Sequence, residues 1–194
     1  MRVVVVGAGT ILFQDEGVGV YGAKFLEENY NFQGDITIVD GGVLGFKLMT
    51  YYTDYDKVII MDTITMHSEK AGAIYNIPAE ELLGLGSYKQ TAHEVEIVEM
   101  LEIAALNGNI SDVNIIGIVP EDILSVNIDL TQTIKEAFPL FIDTALGEIK
   151  RCGISFEKKE SQKSLEEIIS HYDNPNAKDE LNSLKDRDVN SSKD

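Results

Sequence analysis

The 194-residue sequence has little cysteine, few basic residues and no long apolar run. Its single cysteine, Cys152, excludes an internal disulfide and a cysteine-rich zinc site. Lysine and arginine number 16 against 33 acidic residues, so the formal charge is -17 and the protein should repel nucleic acid and anionic membrane surfaces. No apolar run approaches the roughly 18 residues that cross a bilayer. We therefore expect a cytoplasmic protein with neither nucleic acid nor a membrane as a partner.

The composition changes after residue 154. Apolar residues make up 44% of the whole chain, which is enough for a sizeable core. Residues 1–154 alternate short β-branched runs with helical periodicity, whereas residues 155–194 are of mixed charge and rich in Ser, Asn, Asp and Lys. We predict a single α/β domain over residues 1–154. Residues 155–194 should be a largely flexible tail, in which residues 165–169 favour a short amphipathic helix.

Within residues 1–154, β-branched runs predict strands and apolar stripes between them predict helices. The strand runs cover residues 2–6, 35–39, 57–61, 73–77 and 113–119. Helical stripes begin near residues 18, 95 and 134, and a weaker one covers residues 46–52. Because the fourth run follows the third too closely for a helical crossover, it should be an antiparallel edge strand. The order predicts a three-layer α/β/α sandwich with a mostly parallel five-stranded sheet.

Acidic residues follow the predicted parallel strands at the ends where open α/β sheets bind ligands. They are Asp15 and Glu16 after the first strand, Asp40 after the second, Asp62 after the third, and Glu121 and Asp122 after the fifth. Converging carboxylates repel one another unless a cation or a proton lies between them. The sequence therefore predicts a cation-binding or proton-sharing site at this edge.

A histidine opens the helix that precedes the last predicted strand of the sheet. Thr91 and Glu94 form a capping box, which puts His93 at the second helical position. The positive end of the helix dipole disfavours imidazolium there, so the ring can donate a lone pair. Taken alone, His93 is more typical of a partly exposed helix start. Together with Glu16 and Asp62, which the topology brings to the same edge, it suits a divalent cation such as nickel or zinc.

A dinucleotide site is the competing interpretation of the first loop. Gly7 and Gly9 supply two glycines of G-x-G-x-x-G, and Asp40 lies near the position of a ribose-binding acid. However, Leu12 occupies the third glycine position, and Glu16 would direct a carboxylate at a pyrophosphate. A dinucleotide-binding oxidoreductase is therefore the least favoured of the alternatives.

Several short segments of the sequence match the motifs of a known protein family. They are residues 5–12 with 15–19, then 39–42, 60–62, 92–94 and 117–121. Their order and spacing resemble those of the hydrogenase maturation endopeptidases, the proteases that trim the large subunit of nickel–iron hydrogenases. The resemblance covers roughly residues 1–153 and implies an α/β/α sandwich. Thr10 stands where that family usually has asparagine, and either side chain can bond to a nearby turn amide.

The resemblance implies a metal-dependent endopeptidase, a hydrolase that removes the C-terminal extension of a nickel-loaded large-subunit precursor. Glu16, Asp62 and His93 would recognise nickel supplied by the substrate and act in catalysis through it; zinc or cadmium could substitute in vitro. Asp40 is a candidate general base, with Asp15 and a metal-bound water as other candidates, and Asp40 is equally suited to capping the turn that follows it. The alternative is a non-enzymatic nickel-binding, chaperone-like module with the same donors. We expect a monomer or a weak homo-oligomer.

Overall fold

In the computed structural model, the described residues are 1–43, 47–66, 68–83, 97, 99, 100, 102–104 and 111–173. The strands are β1 (Val3–Ala8), β2 (Tyr30–Gln33), β3 (Ile36–Gly42), β4 (Lys57–Thr63), β5 (Ile74–Pro78), β6 (Asp112–Ile118) and β7 (Ser155–Lys158). The helices are α1 (Val18–Asn29), α2 (Lys47–Asp54), α3 (Ala79–Leu83), α4 (Gln132–Arg151) and α5 (Leu165–Asp173). A short 3₁₀ turn, Gln14–Gly17, precedes α1.

Five strands form the main sheet in the order β3-β1-β4-β6-β5. β3, β1, β4 and β6 are parallel, and β5 runs antiparallel to β6 at the edge. The mostly parallel sheet and its antiparallel edge strand are therefore confirmed. The four valines at the start of β1 are all fully buried, because helices cover both faces of the sheet.

Each face of the sheet has its own apolar cluster. Val3 and Val5 of β1 pack with side chains of α1, α4 and α5, whereas Val4 and Val6 pack with side chains of α2. Three described residues of the predicted helix over residues 95–105 are helical and buried on the second face: Ile97, Met100 and Ala104. The stripe predicted for that helix began at Val95 and continued at positions that lie outside the described residues. The clusters confirm the three-layer arrangement.

A second, two-stranded sheet pairs β2, inside the predicted domain, with β7, which lies beyond it, and a final helix follows β7. β2 and β7 pair antiparallel, and their aromatic rings pack together, with the rings of Tyr30 and Phe156 5.7 Å apart. α5 buries Leu165, Ile168 and Ile169 in the cluster that α1 also lines. The packed part of the chain therefore extends past the boundary predicted at residue 154, as far as residue 173. The rest of the predicted tail, residues 174–194, lies outside the described residues.

α4 continues through Pro139 without interruption, with Thr131 capping its first turn through a hydrogen bond from the Ile134 backbone N–H. Within the described parts of the chain, no helix combines the length and apolarity that a membrane span requires.

A buried polar network ties the first residue of β4 to α4 and to its neighbouring strands. The ammonium group of Lys57, 4% exposed, lies 2.8 Å from Asp112 Oδ2, 2.6 Å from Asn114 Oδ1 and 3.2 Å from Glu148 Oε1. Glu148 also accepts a hydrogen bond from Asn76 at 2.8 Å. Burial by itself would raise the pKa of Glu148, but the hydrogen bonds from Asn76 and Lys57 outweigh it and hold that pKa below its ordinary value.

Replacing Lys57 with Met should lower the free energy of unfolding by about 1–3 kcal/mol, because the buried Glu148 carboxylate then loses the buried ammonium group and keeps only the exposed Arg151 as its cation. The control, Lys163→Met, removes a more exposed ion pair to Glu28 at 2.6 Å and should cost less than about 1 kcal/mol. Urea unfolding at pH 7 measures both. Since the lowered pKa of Glu148 stabilises the fold above its ordinary pKa, the effect of Lys57→Met should shrink as the pH falls through the folded value. Equal losses in the two variants at pH 7 would contradict this account.

Candidate active site

Three predicted acids lie at one edge of the main sheet. β1 lies between β3 and β4, and its residue Gly7 stands opposite Asp40 on one side and Met61 on the other. Asp40 lies near the end of β3, Asp62 lies near the end of β4, and Glu16 lies in the 3₁₀ turn that follows β1 and contacts β4. The parallel strands therefore bring all three acids to their common carboxyl edge. His93, the predicted third metal-binding residue, lies outside the described residues.

Two glycines allow the turn that carries Glu16 to approach the sheet. Gly9 has φ +125°, and a Cβ there would lie 1.8 Å from the backbone oxygen of Glu16. At Gly19 in α1, a Cβ would lie 2.1 Å from the oxygen of Met61 and 2.3 Å from that of Ala8. Any side chain at either position would push the turn or the helix away from the strand ends. Gly9, one of the two glycines that suggested a dinucleotide site, therefore lets the strand end and the following turn lie close together.

Asp15 is fully buried and joins this turn to the loop after β6. Its Oδ2 accepts hydrogen bonds from the backbone N–H groups of Glu121 at 3.0 Å and Asp122 at 2.9 Å. Thr131, the N-cap of α4, donates its backbone N–H to Oδ1 at 2.7 Å and its hydroxyl to Oδ2 at 3.0 Å. With both oxygens engaged in this way, Asp15 is a structural residue and a poor candidate for the general base.

Asp62 is 1% exposed and lies on the second face of the sheet. Its Oδ1 accepts the backbone N–H of Thr63 at 2.7 Å. Because side chains alternate along a strand, Asp62 shares its face of β4 with Val58 and Ile60, which pack in the same cluster as Ile97. Asp62 therefore points to the layer that contains the helical residues Ile97, Met100 and Ala104.

Asp40 is exposed at the end of β3. Its Oδ1 accepts the backbone N–H of Gly42 at 3.1 Å, which is the turn-capping bond that one interpretation of the sequence predicted. Its Oδ2 accepts the hydroxyl of Tyr172 at 3.0 Å. Tyr172 had not been singled out from the sequence, because no local pattern connects a residue of the predicted tail to the end of β3.

The donor set at this edge is acidic. Glu16, partly exposed, and Asp62, buried, supply carboxylate oxygens that suit a divalent cation. Among the described residues, no group of three or more His, Cys, Asp or Glu side chains is arranged to hold a metal ion. The predicted trio includes His93 and so falls outside that finding.

An exposed apolar surface borders the turn that carries Glu16. It consists of Leu12, Phe13, Leu124 and Val126, which are 52%, 39%, 84% and 78% exposed. The two loops that carry it are joined by backbone hydrogen bonds, from the N–H of Asn127 to the oxygen of Leu12 at 3.0 Å and from the N–H of Gln14 to the oxygen of Asn127 at 3.0 Å. Apolar side chains exposed together in this way are typical of a surface that binds another molecule.

Replacing Asp15 with Asn should lower the free energy of unfolding by about 1–3 kcal/mol, since an amide nitrogen cannot accept from the buried donors that the lost oxygen served. Glu16→Gln removes the same charge at the next position and should leave the stability nearly unchanged, because the Glu16 side chain is partly exposed. Chemical unfolding followed by circular dichroism compares the two variants. A loss for Glu16→Gln as large as that for Asp15→Asn would disprove the division of roles between these neighbours.

Comparison with known proteins shows the family to which the chain belongs. Residues 20–148 match the family model described as hydrogenase maturation protease. The hydrogenase 2 maturation protease of Escherichia coli is 27% identical over 83% of this chain and 98% of its own length. Protein HydD of Wolinella succinogenes is 29% identical over 75% of this chain and 93% of its own length.

A solved structure gives the same result. The hydrogenase maturating endopeptidase HybD from E. coli superposes with a TM-score of 0.75 at 27% identity, covering 82% of this chain and 98% of that one. The matched region spans more than half of the chain and contains Asp40, Asp62 and His93. The chain belongs to the hydrogenase maturation proteases, a family of endopeptidases.

Proposed function

We propose that this protein removes the C-terminal extension of a nickel–iron hydrogenase large-subunit precursor, and that nickel already bound to the precursor is what it recognises. The observation that supports this most is the position of Glu16 in the turn that follows β1 and contacts β4, the strand that carries Asp62 near its carboxyl end. Relatives named as hydrogenase maturation proteases support the choice of substrate.

His93 is the proposed third donor. It precedes Ile97 by four positions, which is the spacing of one helical face. Ile97 packs in the cluster on the face of β4 that carries Asp62. A helix that begins at the capping box of Thr91 would therefore direct His93 toward the face of Asp62.

The number of donors supports recognition of a loaded substrate. Two carboxylates and one imidazole leave coordination positions open for ligands that a substrate supplies. Nickel held by thiolates of the precursor can complete a shared set of ligands with them. Binding is then strongest for precursor that already contains nickel, which makes metal insertion the condition for cleavage.

For the hydrolytic step, the substrate's metal would supply polarisation of the scissile carbonyl or of a water. Asp40 is the proposed proton acceptor, since its carboxylate is exposed at the same edge while that of Asp15 is buried and engaged. The exposed apolar surface of Leu12, Phe13, Leu124 and Val126 offers a place for an apolar peptide segment to lie beside Glu16.

Glu16→Gln, Asp62→Asn and His93→Ala should each lower the rate of precursor trimming by at least about 100-fold, because each removes one of the three donors. Glu157→Gln on β7 makes the same chemical change as Glu16→Gln at an exposed position of the second sheet and should keep the wild-type rate. Gel mobility of the precursor measures the rate, and circular dichroism checks that each variant is folded. Trimming at the wild-type rate in all three donor variants would reject the proposed site.

Trimming should also depend on the precursor's nickel. The test is intact-mass spectrometry of a purified large-subunit precursor, with and without nickel, after mixing with this protein. We expect loss of a C-terminal peptide from the nickel-loaded precursor and no change in the apo form. Equal trimming of both forms would contradict nickel recognition, and co-elution with the loaded precursor without trimming would favour the chaperone-like module.

A further inference from the structure

The final helix contributes a side chain to the edge of β3. α5 lies beyond residues 20–148, the part of the chain that the family model matches, and it packs on α1. The ring of Tyr172 stands edge-on to that of Tyr21, with 5.6 Å between centroids and 71° between planes. Its hydroxyl donates to Asp40 Oδ2 at 3.0 Å, at the side of a cleft of about 470 Å³ that both residues line.

A series of direct contacts continues from this hydrogen bond to Glu16. Asp40 Oδ1 accepts the N–H of Gly42 at 3.1 Å, and the oxygen of Gly42 accepts the N–H of Gly9 at 3.0 Å. The backbone of Gly9 in turn lies directly against the oxygen of Glu16, where even a Cβ would not fit. The orientation of Tyr172 is thus connected through two turns to the loop that carries Glu16.

Tyr172 is suited to hold this series of contacts in place. Asp40 is exposed, so a carboxylate bonded only to a turn amide would be free to leave it for water. The ring of Tyr172 is fixed against Tyr21, and the hydroxyl therefore presents its proton at a set position. Burial, followed by the negative charge of Asp40 and the hydrogen bond to it, raises the pKa of Tyr172, so the hydroxyl stays a donor at neutral pH.

We propose that Tyr172 is a positioning residue of the protease: it fixes the Asp40 carboxylate and the Gly42 turn, and through that turn the loop that carries Glu16. Its kinetic consequence rests on the proposed function. The final helix, α5, then contributes to the proposed active site at the carboxyl edge of the main sheet. The three predicted metal-binding residues, in contrast, all lie at or before position 93.

Tyr172→Phe tests the proposal, because it keeps the ring beside Tyr21 and removes only the hydroxyl. Trimming of the nickel-loaded precursor should show kcat lowered by about tenfold, with KM changed by less than about twofold. The matched control is Tyr55→Phe, which removes another tyrosine hydroxyl bonded to β3, at Thr37 Oγ1 3.3 Å away. The control should change neither constant by more than about twofold. Unchanged kcat in Tyr172→Phe, or an equal fall in Tyr55→Phe, would overturn the proposal.

A double-mutant comparison shows whether Tyr172 acts through Asp40. In an Asp40→Ala background, adding Tyr172→Phe should change kcat by less than about twofold, because the contact is already lost. If the two effects instead multiply, Tyr172 acts by another route and the proposal fails.

Hydrogen exchange gives a readout that does not depend on activity. The amides of Gly42 and Gly9 should exchange faster in Tyr172→Phe than in the wild type, while the amide of Val5 inside β1 keeps its rate. If the wild-type protein does not trim any precursor, the proposed function is rejected, and these amide rates alone decide the positioning role. Unchanged exchange at both glycines would then overturn it.

Discussion

The buried carboxylate of Asp15 accepts hydrogen bonds from the loop after β6 and from the first turn of α4. These bonds hold the 3₁₀ turn at the carboxyl edge of the sheet, and Gly9 and Gly19 let it lie directly on the strand ends. Glu16, the next residue, is thereby held at the edge with its side chain still partly exposed. The two neighbouring acids thus differ, since Asp15 anchors the turn and Glu16 keeps a partly exposed carboxylate at the edge.

The acidic edge also fits the logic of a protease that acts only after metal insertion. In a chain with a formal charge of -17, grouped carboxylates gain from a cation brought by the substrate. In the proposed function, the open coordination positions of this edge would share a metal that the precursor presents. The apolar surface around Leu12 and Leu124 lies beside this edge, so a single substrate segment can contact both features.

Much of this arrangement was predictable because it depends on local patterns. Buried β-branched runs gave the five strands of the main sheet, and the short link before β5 gave its antiparallel direction. The sequence analysis missed β2 because Tyr30 follows α1 without a turn residue between them. It missed β7 because that strand is short and its residues are largely polar. The separate tasks of Asp15 and Glu16, and the bond from Tyr172 to Asp40, depend on tertiary contacts that no local spacing reveals.

The central claim is that Glu16, Asp62 and His93 surround one cation position. Nuclear magnetic resonance of the isolated protein during titration with cadmium tests it directly, using carbon-13 in the carboxyl groups and nitrogen-15 in the histidine rings. We expect the carboxyl signals of Glu16 and Asp62 and a ring nitrogen of His93 to shift together at the same cadmium concentration, while the ring of His171 does not respond. A shift of the two carboxyl signals without any response from His93 would contradict it.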